Sequence, residues 1–252
     1  MIQLKNLCKR YGNFNAVNNI SLEIQEGEIF GFLGVNGAGK TTTLRMLTGV
    51  LKPTSGSIEI GGFDIQKQPE EVKRITGFIP DRPYLYSKLT GREYLYFVAE
   101  LHSVPQATAE ARIDSLLKQY SLSDWEDELI DGFSHGMKQR LAMCAALIHD
   151  PKVLIVDEPM VGLDPHGAKL LKTCFRQYAD SGVSILLSTH SLNVAEELAD
   201  RLAIIHRGSV IAVGTLEDMR TLAGGANQRL EEIFLQLTWS GGEEYGEGES
   251  VQ

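Results

Sequence analysis

The chain lacks a basic excess. Its 252 residues carry 24 Lys and Arg against 33 Asp and Glu, which gives a formal net charge of −9. Some of these acids lie near the C-terminus in a segment without bases: Glu243, Glu244, Glu247 and Glu249. A nucleic-acid-binding domain usually presents a basic patch. The charge balance therefore argues against nucleic acid as a partner.

A disulfide framework and a long apolar run are also lacking. The three cysteines, Cys8, Cys144 and Cys174, are widely separated and show no spacing typical of metal ligands. We therefore expect reduced thiols and no structural zinc. The longest stretch without charged residues, 181–195, is too short to span a bilayer. The charged N-terminus does not have the apolar run of a signal peptide, so we expect a cytoplasmic chain.

The sequence instead alternates short apolar runs with helical patterns. The runs at 29–33, 153–156 and 183–187 do not alternate with polar residues, which is typical of parallel strands covered on both faces. Helical spacing is present at 40–51 and 191–201, and a further strand is expected at 202–206. The pattern predicts an α/β fold with a mainly parallel sheet.

Three regions depart from this alternation. Residues up to about position 28 alternate loosely and favour an N-terminal antiparallel β subdomain. Residues 88–150 carry mainly helical stripes and predict a helical subdomain inserted between two core strands. The Gly- and Glu-rich residues 239–252 are expected to form a disordered acidic tail. We therefore expect one domain, 1–238, followed by this tail.

A glycine-rich loop follows the first apolar run and precedes a helix. It matches G-x-x-x-x-G-K-[ST] and consists of Gly34, Val35, Asn36, Gly37, Ala38, Gly39, Lys40 and Thr41, with Thr42 next. Such a loop curls its backbone N–H groups around phosphate oxygens at the positive end of the following helix. Lys40 is expected to reach the terminal phosphates, and the Thr41 hydroxyl to hold Mg²⁺. The alternative is a Gly-rich turn that matches the motif by chance, and the strand before the loop and the helix after it argue against this alternative.

Polar side chains follow two of the apolar runs. Asp157 ends the run at 153–156, where a carboxylate can serve Mg²⁺, and Glu158 comes next as a candidate general base. His190 follows the run at 183–187, and parallel strands end at one edge of a sheet, where ligands bind. Its imidazole is a candidate for contacting the γ-phosphate or orienting water. The alternatives are two solvated turn acids and a surface histidine.

In this order, the motifs resemble the ATP-binding (nucleotide-binding) subunit of an ABC transporter, over the chain to about residue 220. The resemblance implies a P-loop NTPase (RecA-like) core and an ATPase coupled to transport, with ATP and Mg²⁺ as cofactors. The phosphate loop is the family's Walker A motif, and residues 153–157 are its Walker B motif. Glu158 falls at the catalytic base and His190 at the switch histidine.

Further residues gain a role only through this resemblance. Ser134 and Gly136 fall at the family signature, which contacts the γ-phosphate, and Asp164 falls at the D-loop. Tyr11 lies where the family stacks an aromatic ring on adenine; a tyrosine that packs a strand is the alternative.

Two departures from the family pattern stand out. The signature is usually Leu-Ser-Gly-Gly-Gln, whereas this chain has Phe133-Ser134-His135-Gly136-Met137. The family places Gln where this chain has Asp81, at the position that contacts Mg²⁺ and the attacking water. A carboxylate can bind Mg²⁺ but cannot donate a hydrogen bond. We therefore expect Asp81 to keep metal dependence as a ligand.

The resemblance also implies partners. In the family two cassettes pair head to tail, and a separate transmembrane permease places the pair on the cytoplasmic face of the membrane. Residues 81–96, rich in Tyr and Leu, are the expected permease contact, with packing of the helical insert as the alternative. The Ser-His-Gly-Met-Lys-Gln-Arg form is reminiscent of cassettes paired with ABC-2-type exporters. A cassette ATPase of DNA repair or ribosomes and a nucleotide sensor without turnover are the competing functions.

Overall fold

The computed structural model describes residues 1–224 and 228–238; the predicted acidic tail lies outside them. Two sheets form the framework. An antiparallel sheet has the order β2-β1-β4-β5, and a six-stranded sheet has the order β10-β9-β3-β8-β7-β6. The strands are β1 Ile2–Tyr11, β2 Phe14–Ile24, β3 Ile29–Leu33, β4 Ser55–Ile60, β5 Phe63–Asp64, β6 Thr76–Ile79, β7 Val153–Asp157, β8 Ser184–Thr189, β9 Arg201–His206 and β10 Ser209–Gly214.

The large sheet is mainly parallel, as predicted. Strands β6, β7, β8, β3 and β9 pair in parallel, and only β10 pairs antiparallel, at one edge. Neighbouring residues of β7 point into different cores: Leu154 packs with the helical insert, and Ile155 packs with the antiparallel sheet. Both faces are thus covered, which is why these strands are apolar throughout rather than alternating.

The helices cover both faces of this sheet. They are α1 Lys40–Leu47, α2 Pro69–Ile75, α3 Gly91–Leu101, α4 Gln106–Gln119, α5 His135–Leu147, α6 Pro165–Asp180, α7 Leu192–Leu198, α8 Leu216–Leu222 and α9 Leu230–Thr238. Helices α3 to α5 lie between β6 and β7 along the chain, where the helical insert was predicted. Thr90 begins α3 with a capping box, because its side chain accepts from the Glu93 amide and Glu93 accepts from the Thr90 amide.

Some element bounds differ from the sequence prediction. Helix α1 ends at Leu47 rather than at position 51, because Gly49 has a φ of 72° that no helix continues through. Helix α7 ends at Leu198, three residues before the predicted end, and β9 then begins at Arg201. The antiparallel sheet extends beyond residue 28, since β4 and β5 join it after α1. Such long-range pairing leaves little local signal in the sequence.

Candidate active site

The phosphate loop connects β3 to α1 in the middle of the large sheet. A side chain at Gly34 would place its Cβ 2.6 Å from the Ile205 carbonyl oxygen, and one at Gly39 would meet the Ala16 carbonyl oxygen at 2.5 Å. Both positions therefore need glycine, and Gly39 also has a φ of 111°. The Lys40 ammonium folds back over the loop and donates to the Gly34 carbonyl at 2.6 Å.

Lys40 is almost completely buried. Burial lowers its pKa from the usual value, and the carboxylates of Glu158 and Asp157 oppose that shift. The Lys40 Nζ lies 3.8 Å from Glu158 Oε1. A buried cation held by loop carbonyls and facing carboxylates can exchange these partners for the oxygens of an anionic ligand.

Asp157 ends β7 beside this loop. Its Oδ2 accepts a hydrogen bond from the Thr41 hydroxyl at 3.1 Å, while its buried Oδ1 has no hydrogen-bond partner among the described residues. Burial raises the pKa of Asp157 and the negative charges of Asp81 and Glu158 act in the same direction, whereas the neighbouring hydroxyls of Ser188 and Thr41 oppose the rise. A buried carboxylate oxygen without a partner is costly for the fold, which points to a ligand that completes it.

Glu158 is held in place by the end of β8. Its Oε1 accepts from the His190 amide at 2.9 Å and lies 2.8 Å from His190 Nδ1, and its Oε2 accepts from the Thr189 hydroxyl at 3.1 Å. The backbone of Glu158 has a φ of 49°, the left-handed region that side chains rarely occupy. The site thus fixes both the backbone and the carboxylate of this residue. Thr189 was not singled out from the sequence.

A cavity of about 400 Å³ lies over the phosphate loop, and we call it the phosphate-loop cavity. Its walls include Tyr11 and Asp81 together with Lys40, Thr41, Asp157 and Glu158. Tyr11, the last residue of β1, is half exposed and lines the cavity, and its contact with adenine stays a prediction. Phe14, opposite Tyr11 in the β1–β2 pairing, also lines the cavity and is 65% exposed. Phe14 was not singled out from the sequence, although it is an aromatic residue that follows Tyr11 directly after the turn between β1 and β2.

Ser134, Gly136 and Asp164 do not line this cavity. Ser134 caps α5 by accepting from the Met137 amide at 3.2 Å, and Asp164 caps α6 by accepting from the Gly167 amide at 2.6 Å. The two helix starts adjoin each other, because a Cβ on Gly136 would lie 3.6 Å from a methyl carbon of Leu163. The structure therefore forms two groups: the cavity residues, and the exposed starts of α5 and α6.

A second concave surface lies between the helical insert and the core. This groove of about 470 Å³, called the aromatic groove, is lined among others by Val50, Pro83, Tyr84, Val98 and His102. Within the predicted contact region, Tyr84 is 92% exposed, whereas Leu85, Leu89 and Tyr94 pack partly against the core. The packing interpretation thus describes Leu85, Leu89 and Tyr94, whereas the permease contact of residues 81–96 stays a prediction.

Family comparison defines the class of protein. The model of the ABC transporter family matches residues 17–161, and the chain belongs to this family. It is an ATP-binding cassette with ATPase activity coupled to transport. None of the described helices, in residues 1–224 and 228–238, is long and apolar enough to cross a membrane.

Named relatives place the chain more closely. It is 36% identical to the linearmycin resistance ATP-binding protein of Bacillus subtilis, over 96% of this chain and 76% of the relative. It is 41% identical to the bacitracin transport ATP-binding protein of Bacillus licheniformis, over 84% and 68% respectively. A solved ATP-binding subunit of an ABC transporter superposes with a TM-score of 0.89 at 34% identity, covering 94% of this chain and 99% of that one. A dimeric cassette in a post-hydrolysis state, bound to ADP and phosphate, gives a TM-score of 0.74 at 26% identity, covering 86% and 99%.

Proposed function

We propose that two copies of this cassette, or one copy and a homologous cassette, close head to tail over Mg-ATP and drive a separate membrane permease. One observation carries the proposal: the phosphate-loop cavity holds Lys40, Thr41 and Glu158 but not Ser134 or Gly136. Groups at the exposed start of α5 are free to complete the cavity of another copy. The dimeric cassette that this chain resembles supports such pairing.

Glu158 is the base in this proposal. Its Oε1 is already fixed by the His190 amide and imidazole, so the carboxylate meets the attacking water without reorganising. Lys40 leaves its loop carbonyls and pairs with the terminal phosphates. His190, which follows β8, holds Glu158 and contacts the γ-phosphate when ATP is bound. Tyr11 stacks on the adenine at the cavity mouth.

The residues present fit Mg²⁺. The orphaned Asp157 Oδ1, the Thr41 hydroxyl and the carboxylate of Asp81 are all oxygen donors, which this ion prefers. In residues 1–224 and 228–238, no group of three or more His, Cys, Asp or Glu side chains converges as a metal site of its own. Mg²⁺ would therefore depend on the nucleotide phosphates for part of its shell, as it commonly does. When bound, it neutralises charge that develops on the phosphate oxygens.

The aromatic groove is the surface on which we propose that the permease binds. Tyr84 and Val50 expose 92% and 73% of their surface there, which is unusual for apolar side chains on a surface that stays in water. A cytoplasmic segment of the permease that fills the groove would receive the movement of the helical insert when the two copies close. The cassette then lies on the cytoplasmic face of the membrane through this contact.

Export is the direction we propose. The linearmycin relative is named for resistance and the bacitracin relative for transport, and the chain is 36% and 41% identical to them. The Ser-His-Gly-Met-Lys-Gln-Arg form of the signature also resembles that of cassettes paired with ABC-2-type exporters. Cells that express the cassette with its permease should then retain less of the exported antibiotic than cells with Lys40→Ala.

The purified full chain tests the core of this proposal. It should hydrolyse ATP only when Mg²⁺ is supplied, and removal of the metal with a chelator should stop turnover. ATP binding without hydrolysis at any metal concentration would assign the chain to the competing class of nucleotide sensors.

A further inference from the structure

The signature of this chain carries one side chain that its family usually lacks there. His135 is the first residue of α5, between Ser134 and Gly136, at a position that is ordinarily glycine. It does not line the phosphate-loop cavity. The proposed chemistry assigns it no role.

The imidazole of His135 lies against the turn that follows Glu158. A Cβ on Gly162 would sit 2.5 Å from His135 Cδ2 and 2.7 Å from Nε2, so the ring occupies the space that a side chain there would need. Gly162 has a φ of 77°, which already favours glycine. The start of α5 and residue 162 are therefore packed against each other through this ring.

Gly162 is joined to Glu158 by a short, internally bonded segment. The Val161 amide donates to the Glu158 carbonyl at 3.3 Å, and the Leu163 amide donates to the Met160 carbonyl at 3.4 Å. Asp164 then caps α6. The segment 158–164 thus runs from the candidate base to a helix start, and His135 contacts it midway.

We propose that His135 is a positioning residue that holds the start of α5 and the segment 158–164 as one unit. The inference rests on the proposed function, because only in a head-to-tail pair do these two parts serve different nucleotides. Glu158 then acts on the ATP of its own copy, while Ser134 closes the ATP of the partner copy. When the start of α5 closes over the partner's ATP, the His135–Gly162 contact therefore moves Glu158 at the ATP of the first copy.

Single substitutions in the full chain test this link. His135→Ala should lower kcat about threefold to tenfold and make the rate depend less steeply on ATP concentration. The dissociation constant for ATP measured without Mg²⁺ should stay unchanged, because the ring does not reach the cavity. His135→Gln, which retains a planar side-chain group to fill the space, should recover most of the rate. The matched control is Gln106→Ala, at an exposed polar residue in the first turn of α4, away from segment 158–164.

A double substitution tests the contact itself. Gly162→Ala should reduce kcat by a larger factor in the unmodified chain than in a His135→Gly background, because the space for the new methyl group is free once the ring is removed. Equal losses from Gly162→Ala with and without His135→Gly would overturn the contact, and so would unchanged kinetics of His135→Ala. If the unmodified chain does not hydrolyse ATP, the proposed function itself fails, and that result is separate from either of these.

Discussion

The phosphate-loop cavity and the aromatic groove are built on opposite principles. The cavity brings charged groups together: a buried ammonium, a carboxylate oxygen without a partner, and a base with a left-handed backbone. The groove exposes Tyr84 and the aliphatic Val50, and two stacked histidines, His102 and His149, line it with ring centroids 3.8 Å apart. The cavity contains charged groups that lack complete partners, whereas the groove leaves apolar side chains exposed to water. A charged ligand therefore suits the cavity, and an apolar protein segment suits the groove.

Among these tests, substitution of Glu158 in the cavity should change the activity most. Glu158→Gln keeps the shape and most hydrogen bonds of the side chain but removes its basicity. Hydrolysis should fall about 10²- to 10⁴-fold while ATP binding is retained. Steady-state ATPase assays and equilibrium binding measure the two separately. Turnover within twofold of the unmodified chain would remove Glu158 as the base.

Asp81 is the next test of the cavity. Its charge adds to the rise in the pKa of Asp157, and it stands where the family has Gln. Asp81→Ala should weaken Mg²⁺ activation about tenfold, as loss of a supporting metal contact does. The control is Asp124→Ala, an exposed acid of the helical insert. If the Mg²⁺ dependence and rate of both variants are the same, Asp81 is only a surface acid.

Tyr84 tests the groove. Because its ring is 92% exposed, Tyr84→Ala should leave the thermal midpoint and basal ATPase rate unchanged. Binding to vesicles of the source membrane should fall about tenfold, as expected for an aromatic anchor. Trp125→Ala, at an aromatic residue that is 49% exposed but does not line the groove, is the control. Equal membrane binding by both variants would place the permease elsewhere.

The histidine pair predicts the smallest effect, on stability. Burial lowers the pKa of His149 to about 4, and proximity to His102 acts in the same direction. His149 is therefore neutral when folded and takes up a proton on unfolding at acid pH. The contribution of neutral His149 to the free energy of unfolding is fully present above about pH 6.5 and is lost as the pH falls toward about 4. Thermal midpoints from pH 8 to pH 5 should fall less for His149→Gln than for the unmodified chain. A parallel fall in both would contradict this origin.

The sequence predicted the cavity far better than the groove, for a physical reason. Gly34 to Thr41 form one continuous loop whose composition is dictated by close backbone contacts, and Asp157 and His190 follow strands that must end at the same edge. The groove instead gathers Val50, Tyr84, Val98 and His149 from four separate parts of the chain. The packing of α3 on α5 and of α5 on β6 brings them together.

The contact of His135 with Gly162 was not predictable either. The sequence shows an unusual residue in the signature, but nothing local indicates that its ring lies on a turn about 27 residues later. The same applies to Thr189, whose hydroxyl holds Glu158 only because β7 and β8 are neighbours.

Mixing two inactive variants tests the shared nucleotide site most directly. Lys40→Ala disables the phosphate loop, and Ser134→Arg blocks the start of α5. If each ATP is bound by one copy and closed by the other, the mixed pair has one intact site, and the mixture should hydrolyse ATP faster than either variant alone. If Ser134 serves the loop of its own copy, the mixed pair has no intact site. A rate equal to the average of the two variants would then contradict the account.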